Sequence, residues 1–341
     1  MIVHDLIVSV AGALSPIRPL LPYYHLVSDE RLAHVCHLHP CKTERQFVDD
    51  LDFLCRHYRP VALRDLVDHA RRGKRLAKGS FLLTFDDGYR QIHSVVAPIL
   101  VRKGVPAIFF LASGFIGNER LGFRNTASLI VEHLLRNPDI SARHESRILR
   151  LLPAGPGELA ARLLAVPYED AALLDEVAGS IGLDIAEYLR TERPYLTRPE
   201  VGQLIEMGFH VGAHSVDHPL FQRLPLSEQL RQARESLRAI REAFAPDHAL
   251  FAFPHSDLGI SEEFFRAIDS EIDLSFGTSG IMRDPIATNL QRINFERSLR
   301  PASSILARQH VRKILRGRSK KMLIRRTPAE LHPGRGPEAS S

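Results

Sequence analysis

The 341-residue chain has no tryptophan and only three cysteines, Cys36, Cys41 and Cys55. Three cysteines cannot all pair within one chain, which excludes a disulfide-built scaffold and fits a reducing compartment. No apolar run approaches the roughly 20 residues that a membrane-spanning helix needs. The short run Leu6–Leu14 follows His4 and Asp5, where a secretory leader would carry basic residues. A cytoplasmic setting is therefore the expectation. Glycine patterns that cradle phosphates or dinucleotides are missing, as is any recognised nucleic-acid-binding motif, so nucleic acid is not an expected partner. Acidic residues are absent from one long stretch, "RQHVRKILRGRSKKMLIRR", Arg308 to Arg326. Two readings of it stand: a solvated helical or frayed tail, or a peripheral contact with an anionic membrane surface, polyanion or glycan. The residues after it, 327–341, have a disordered composition.

What is present describes an ordinary globular protein, with 44% hydrophobic and 25% charged residues and a net charge of +5. Its length allows one large domain with a sizeable core. Strand-like and helix-like segments alternate. Thr43-x-x-Gln46 and Thr197-x-x-Glu200 read as capping boxes that open helices, and Ser227 reads as the cap of a third. Apolar strands are expected at Phe81–Phe85, Val105–Leu111 and Phe209–Ala213, then at "LFAF", "LSFGT" and "LQRINF". Such alternation predicts an α/β fold with a parallel sheet or barrel covered by helices. Between about 118 and 195 the rhythm breaks into helical segments around "PAGPG", which reads as a helical insertion, either a lid or a packing elaboration.

Three segments follow apolar strands, where parallel α/β folds gather their chemistry. They are Asp86 and Asp87 in "TFDDG", the "HSVDH" run from His214 to His218, and "PHSD", Pro254 to Asp257. Each alone is weak: Asp-Asp-Gly is a common turn, and two histidines four apart are usually surface residues. Together they suggest a metal centre. A helical turn after the strand would bring His214 and His218 to one side. With one carboxylate they form a set suited to zinc or a similar divalent ion, with cobalt, manganese and nickel as alternatives. If Asp87 is that carboxylate, Asp86 can accept a proton from a water whose pKa the ion lowers to about 7. The ion's charge also relieves the repulsion between the two neighbouring carboxylates.

These motifs resemble those of the polysaccharide deacetylases, the NodB-like enzymes of carbohydrate esterase family four. The order of "YYHLVSD", "FDDGY", "GVPAIFFLASGFIG", "LTRPEVGQLIEMGFHVGAHSVDHPLF" and "FAFPHSD" agrees with that family from about Leu20 to Arg300. The resemblance implies an irregular seven-stranded (β/α) barrel over residues 1–307, carrying the helical insertion and followed by a basic tail from 308 to 341. It implies a metal-dependent hydrolase that removes N- or O-linked acetyl groups from a sugar, oligosaccharide or glycan precursor. Asp87, His214 and His218 then become metal ligands and Asp86 the general base. Two departures stand out. The family's arginine that holds the catalytic aspartate is replaced by Ala252, and Arg292 is a candidate substitute. The late Leu-x-His that supplies the general acid is absent from "LQRINFERSL", while His332 lies in the tail. His255 is the first candidate for that acid, with Asp257 second. His25, Asp257 and Arg292 are weaker candidates for contact with substrate. The departures keep two other readings open: a metal-binding but catalytically weak glycan-recognition protein, and an amidase acting on a non-sugar C–N bond. "HVCHLHPC", His34 to Cys41, fits no standard zinc spacing and is expected to be a loop over the site.

Overall fold

The computed structural model describes residues 19–153, 155–316 and 322–326. Eight short parallel strands form one nearly closed barrel. In chain order they are β1 Pro22–Tyr24, then, after a two-stranded pair β2 Arg59–Pro60 and β3 Ser80–Phe81, β4 Leu83–Phe85, β5 Ala107–Leu111, β6 His210–Ala213, β7 Leu250–Ala252, β8 Leu274–Gly277, β9 Asn289–Gln291 and β10 Ile293–Asn294. Around the barrel the order is β10-β1-β4-β5-β6-β7-β8-β9. Because only Arg292 separates β9 from β10, one bent segment of chain pairs with β8 before the bend and with β1 after it. The barrel therefore has seven staves, the last of them kinked.

Alternation along the strands divides the core. Ile108 and Phe110 pack with Leu82, Leu250, Ala252, Leu274 and Phe276, while Ala107, Phe109 and Leu111 join the larger cluster beneath the helices. Strands apolar on both faces give the near-continuous hydrophobic runs seen in the sequence. At Gly212 a Cβ would sit 2.7 Å from the Phe110 ring and 2.9 Å from Leu250 Cβ, so β6 approaches its neighbours at a distance only glycine permits.

Helix boundaries follow their caps. Both boxes form: Thr43 Oγ1 accepts from Gln46 N at 3.2 Å while Gln46 Oε1 accepts from Thr43 N at 3.1 Å, and Glu200 accepts from Thr197 N at 2.7 Å. Ser227 does not cap. Pro225 takes the cap position, two residues earlier, the helix runs Leu226–Phe244, and Ser227 lies inside the first turn. Among the described residues, the segment 123–192 folds into five helices around a core of their own, with Ile130, Leu134, Ile148, Leu163, Leu174 and Val177 at its centre. Its returning strand rejoins the barrel at Tyr195, which bridges Tyr89.

The boundary expected at 307/308 falls inside a helix, Ala302–Arg316. Its N-terminus is held by a buried pair: Asp50 accepts from Ala302 N at 2.7 Å and from the Lys42 ammonium, and Lys42 also donates to the Arg300 carbonyl at 2.9 Å. Farther on, Arg326 is buried against Asp257 and Asp284. The described parts of the basic stretch, 308–316 and 322–326, are thus folded onto the barrel: Leu306 and Ala307 just before it and Met322 within it join the core. The remainder of the expected tail lies outside the described residues. No described helix is long and apolar enough to cross a membrane.

Lys42 and Asp50 are both at most 3% exposed in their side chains, so removing one partner strands a charge in the core. Lys42→Met is expected to lower the unfolding free energy by about 3–5 kcal/mol, measured by urea denaturation. A loss below about 1 kcal/mol would show the pair to be incidental.

Candidate metal centre and active site

The carboxyl ends of the strands meet in a cavity of about 580 Å³. β4 delivers Asp86 and Asp87, β6 His214 and the loop to His218, β7 the turn containing His255, β1 His25, and β10 Glu296. All but His214 line the cavity wall. His214 sits just behind it, 1% exposed.

Asp87, His214 and His218 converge. The Nε2 atoms of His214 and His218 lie 3.3 and 3.1 Å from Asp87 Oδ1. The histidines reach this point without the expected helical turn. Ser215 and His218 adopt left-handed φ values of 63° and 57°, and the loop between them is held by buried Gln232, whose Oε1 accepts from Val216 N and Asp217 N. Asp87 itself has φ 73° and His255 φ 57°. Four non-glycine residues in this sparsely populated region, all at one site, mark backbone shaped by something other than local preference. Gly114 helps hold the loop: its N–H donates to the Val216 carbonyl at 3.0 Å, where a Cβ would meet that oxygen at 2.8 Å.

These residues fit a divalent ion. Asp87 Oδ1 and His218 Nε2 are buried with no hydrogen-bond partner, and His214 Nδ1 donates to the Ala252 carbonyl at 2.9 Å, leaving its Nε2 lone pair directed at Asp87. A second-shell carbonyl fixing the tautomer is the usual support of a metal-ligating histidine. Burial alone would raise the Asp87 pKa, but His218 and His25 more than offset it and hold the carboxylate well below its ordinary range. Burial lowers His218, keeping the imidazole neutral.

Asp86 is held differently. Arg292 Nη1 and Nη2 donate to its two oxygens at 2.6 and 2.8 Å, with the guanidinium wholly buried. Burial pushes Asp86 up, and the Arg292 charge and hydrogen bonds bring it below the usual value. Of the two placements the sequence left for Arg292, this is the tether. Its burial behind Asp86 keeps it from touching anything in the cavity. Asp257 is likewise out of reach: it is 0% exposed and bonded to Arg326, Asn289 and Gln291. That network, absent from any local reading of "PHSD", explains why Asp257 does not face the site.

His25 stands on the cavity wall at the end of β1. Its Nδ1 and backbone N both bind Glu296, the latter at 2.9 Å. Burial pulls its pKa down, but the Glu296 and Asp87 carboxylates prevail and raise it to about 10. His255 is opposite in character. Its ring packs on His218 with centroids 4.5 Å apart, and burial, then His218 and Arg124, drive its pKa well below the usual value. Glu296 is hidden in sequence because "LQRINFERSL" offers no histidine to mark the position; a carboxylate two residues beyond a strand end is its only local signal. His39, stacked on His25 at 4.5 Å, comes from the "HVCHLHPC" loop, which does overhang the site. The insertion supplies Arg124 and Asn125 to the wall, and Asn125 ties Tyr89, Tyr195 and the His34 carbonyl together.

Comparison with known proteins follows from this arrangement. A family model described as polysaccharide deacetylase matches residues 73–270, which include Asp86, Asp87, His214, His218 and His255 and leave out His25, Arg292 and Glu296. A search of curated proteins finds no match. Among solved structures the chain is similar to IcaB from Ammonifex degensii, with TM-score 0.54 and 15% identity over 85% of this chain and 96% of that one. It is similar also to the Streptococcus pyogenes deacetylase PplD in complex with acetate, with TM-score 0.53 and 12% identity over 85% and 97%. At such identities the likeness concerns the barrel fold.

The trio predicts one equivalent of bound Zn²⁺ by calorimetry on chelator-treated protein. Asp87→Ala or His214→Ala should weaken it at least about 100-fold, the upper end of what even an outer-shell partner contributes. Asp86→Asn should bind zinc within a few-fold of the native protein. Equal weakening by all three variants would mean that the ion is held elsewhere or by both carboxylates.

Proposed function

The chain belongs to the polysaccharide deacetylase family, and we propose that it is a metal-dependent deacetylase of an N-acetylated glycan in which Asp87, His214 and His218 hold the ion. The observation that carries the reading is the pairing of two adjacent carboxylates with different partners: Asp87 turned toward the His214 and His218 imidazoles, and Asp86 locked to Arg292. When bound, a divalent ion in the trio supplies Lewis acidity, lowering the pKa of water toward about 7 and polarising the acetyl carbonyl. That acidity matters to Asp86. A carboxylate held below its usual range is a poor base toward free water, so it suits only a water already acidified beside it.

In the reaction, water's oxygen adds to the acetyl carbon as Asp86 takes its proton. The C–N bond then breaks, acetate leaves, and the nitrogen needs a proton because an amide anion is a very poor leaving group. Of the three cavity histidines outside the trio, His25, His39 and His255, His25 is the one that carries a proton near neutrality, with Glu296 holding the imidazolium by Nδ1 and leaving Nε2 to donate, while burial lowers the pKa of His39. His255, kept neutral by burial and its neighbours, lines the wall beside His218. We therefore assign the general acid to His25 in place of His255. With Arg292 as tether and His25 as acid, the two motif departures that favoured a catalytically weak binding protein lose their force. The wall formed by Tyr23, Tyr89 and Tyr195 suits sugar rings, whose apolar faces pack on aromatic planes.

Acetate release from a panel of acetylated oligosaccharides, with chelated enzyme and with Zn²⁺, Co²⁺ or Mn²⁺ restored, tests the function. Release should depend on the metal and fall at least about 100-fold in Asp86→Asn. Release that survives chelation or that substitution would remove this mechanism.

The acid has its own signature. A general acid works while protonated, so activity falls on the alkaline side as His25 loses its proton. Glu296→Gln deletes the charge that raises His25, so the alkaline limb of kcat/KM should move to lower pH, while Asp86→Asn changes its height. An alkaline limb unmoved by Glu296→Gln, or full turnover in His25→Gln, would return the role to another residue.

A further inference from the structure

A second cavity, of about 1120 Å³, adjoins the first: Thr278, Asn294 and Arg297 line both. Its outer wall is the helix Ala302–Arg316, whose far face packs into the core through Leu306 and is anchored at its start by Asp50. Among the described residues, four arginines, Arg297, Arg300, Arg308 and Arg312, line this groove, and no aspartate or glutamate does. None of the four side chains pairs with an acid among the described residues. Some other surface arginines do meet acids, as Arg231 meets Glu228 and Glu235 and Arg266 meets Glu262; what sets these four apart is that they surround one hollow. Four like charges around one hollow without a counter-charge repel, and a bound anion relieves them.

The same groove is greasy. Helical spacing puts Val311 and Leu315 on the face that carries Arg308 and Arg312. Val311 is 41% exposed and Leu315 80%, and Leu258 faces them across the hollow at 46%. Large apolar side chains left bare at this density mark a binding surface when they sit together. Inside, the Ser279 hydroxyl and Gln309 Oε1 are buried with no hydrogen-bond partner, leaving a donor and an acceptor for a ligand's polar atoms. A free sugar phosphate would use the arginines and ignore the leucines; a neutral lipid would do the reverse.

We propose that this groove seats the reducing end of the glycan as a phosphate ester of an apolar carrier chain. The arginines bind the phosphate, the strip of Leu258, Val311 and Leu315 takes the hydrocarbon, and the sugar reaches the catalytic cavity past Asn294 and Arg297. The forked guanidinium is suited to phosphate oxygens, and charge-assisted bonds of this kind are the strong ones. The inference rests on the deacetylase reading for the identity of the sugar and deepens it by naming the substrate's other end.

Binding is read without turnover. Full-length protein is titrated calorimetrically with decyl phosphate below its micelle concentration, with inorganic phosphate and with neutral decyl glucoside. Decyl phosphate should bind tightest, and Arg308→Gln/Arg312→Gln should weaken it at least about tenfold, the loss of one charge-assisted hydrogen bond. That variant should deacetylate a short neutral acetylated oligosaccharide at the native rate, which also shows it to be folded. Equal affinity for inorganic phosphate and decyl phosphate overturns the carrier. So does decyl phosphate binding that survives the groove variant and is lost in Lys320→Gln/Lys321→Gln. Groove-dependent binding with no acetate released from any glycan supports the phosphate and hydrocarbon site while overturning the deacetylase reading itself.

Discussion

The ion pair between Arg292 and Asp86 joins the closing of the barrel to its chemistry. Arg292 is the residue at which the last stave bends, its N–H donating to Gly277 O on β8 while the next residue, Ile293, donates to Leu21 O beside β1. Its side chain is buried inside the barrel beneath the cavity, with the guanidinium 4.8 Å from the Tyr23 ring and 5.3 Å from that of Phe110. A buried charge is tolerable only if paired and hydrogen-bonded, and here Asp86, Thr84 and the Gly277 carbonyl complete its partners. Neither group can leave without stranding the other. The consequence is a carboxylate fixed in angle and kept ionised, backed by the same bond that helps seal the sheet.

That arrangement resolves the puzzle of two carboxylates in sequence. Alternation along the strand sends Asp86 toward the barrel axis, in line with Leu82 and Thr84, and left-handed backbone at Asp87 turns the second side chain away from the first. Each then meets positive or neutral partners rather than its neighbour: arginine for one, two imidazoles for the other. Both are held below the usual carboxylate range, one by a permanent cation and one by groups able to give way to a metal. Repulsion is avoided by direction as much as by charge.

What could be seen in the sequence was what local pattern controls. Apolar runs of five to seven residues, capping boxes at Thr43 and Thr197 and the placement of Asp87, His214 and His218 after strands all depend on neighbours a few residues away. A parallel α/β sheet or barrel and the helical insertion followed from these, whereas the seven staves came from the family resemblance. Arg292, Glu296 and Asp257 were harder because their roles are set by partners far along the chain. Arg292 meets Asp86 at a separation of 206 residues, and Glu296 meets His25 at 271. Asp257 looked like a site residue because it follows a strand, yet it is claimed by Arg326, 69 residues on and beyond the helix that the basic composition had suggested was loose. Charge counts cannot distinguish an arginine that solvates a tail from one that neutralises a buried aspartate.

If His25 is the acid, as proposed, the proton that a late-strand histidine would give comes from a different stave. β1 and β10 are neighbours in the barrel, pairing Pro22 with Ile293 and Tyr23 with Asn294, so residues just beyond their ends face each other across a strand spacing. A histidine on either one can occupy the same region of the cavity, provided the other supplies a carboxylate to hold it charged. In this chain the histidine stands on β1 and the carboxylate on β10. The constraint in this chain is a hydrogen-bonded imidazole and carboxylate on adjacent staves, beside the trio but outside it. A motif read along one strand cannot express that constraint, because it is a property of the pair.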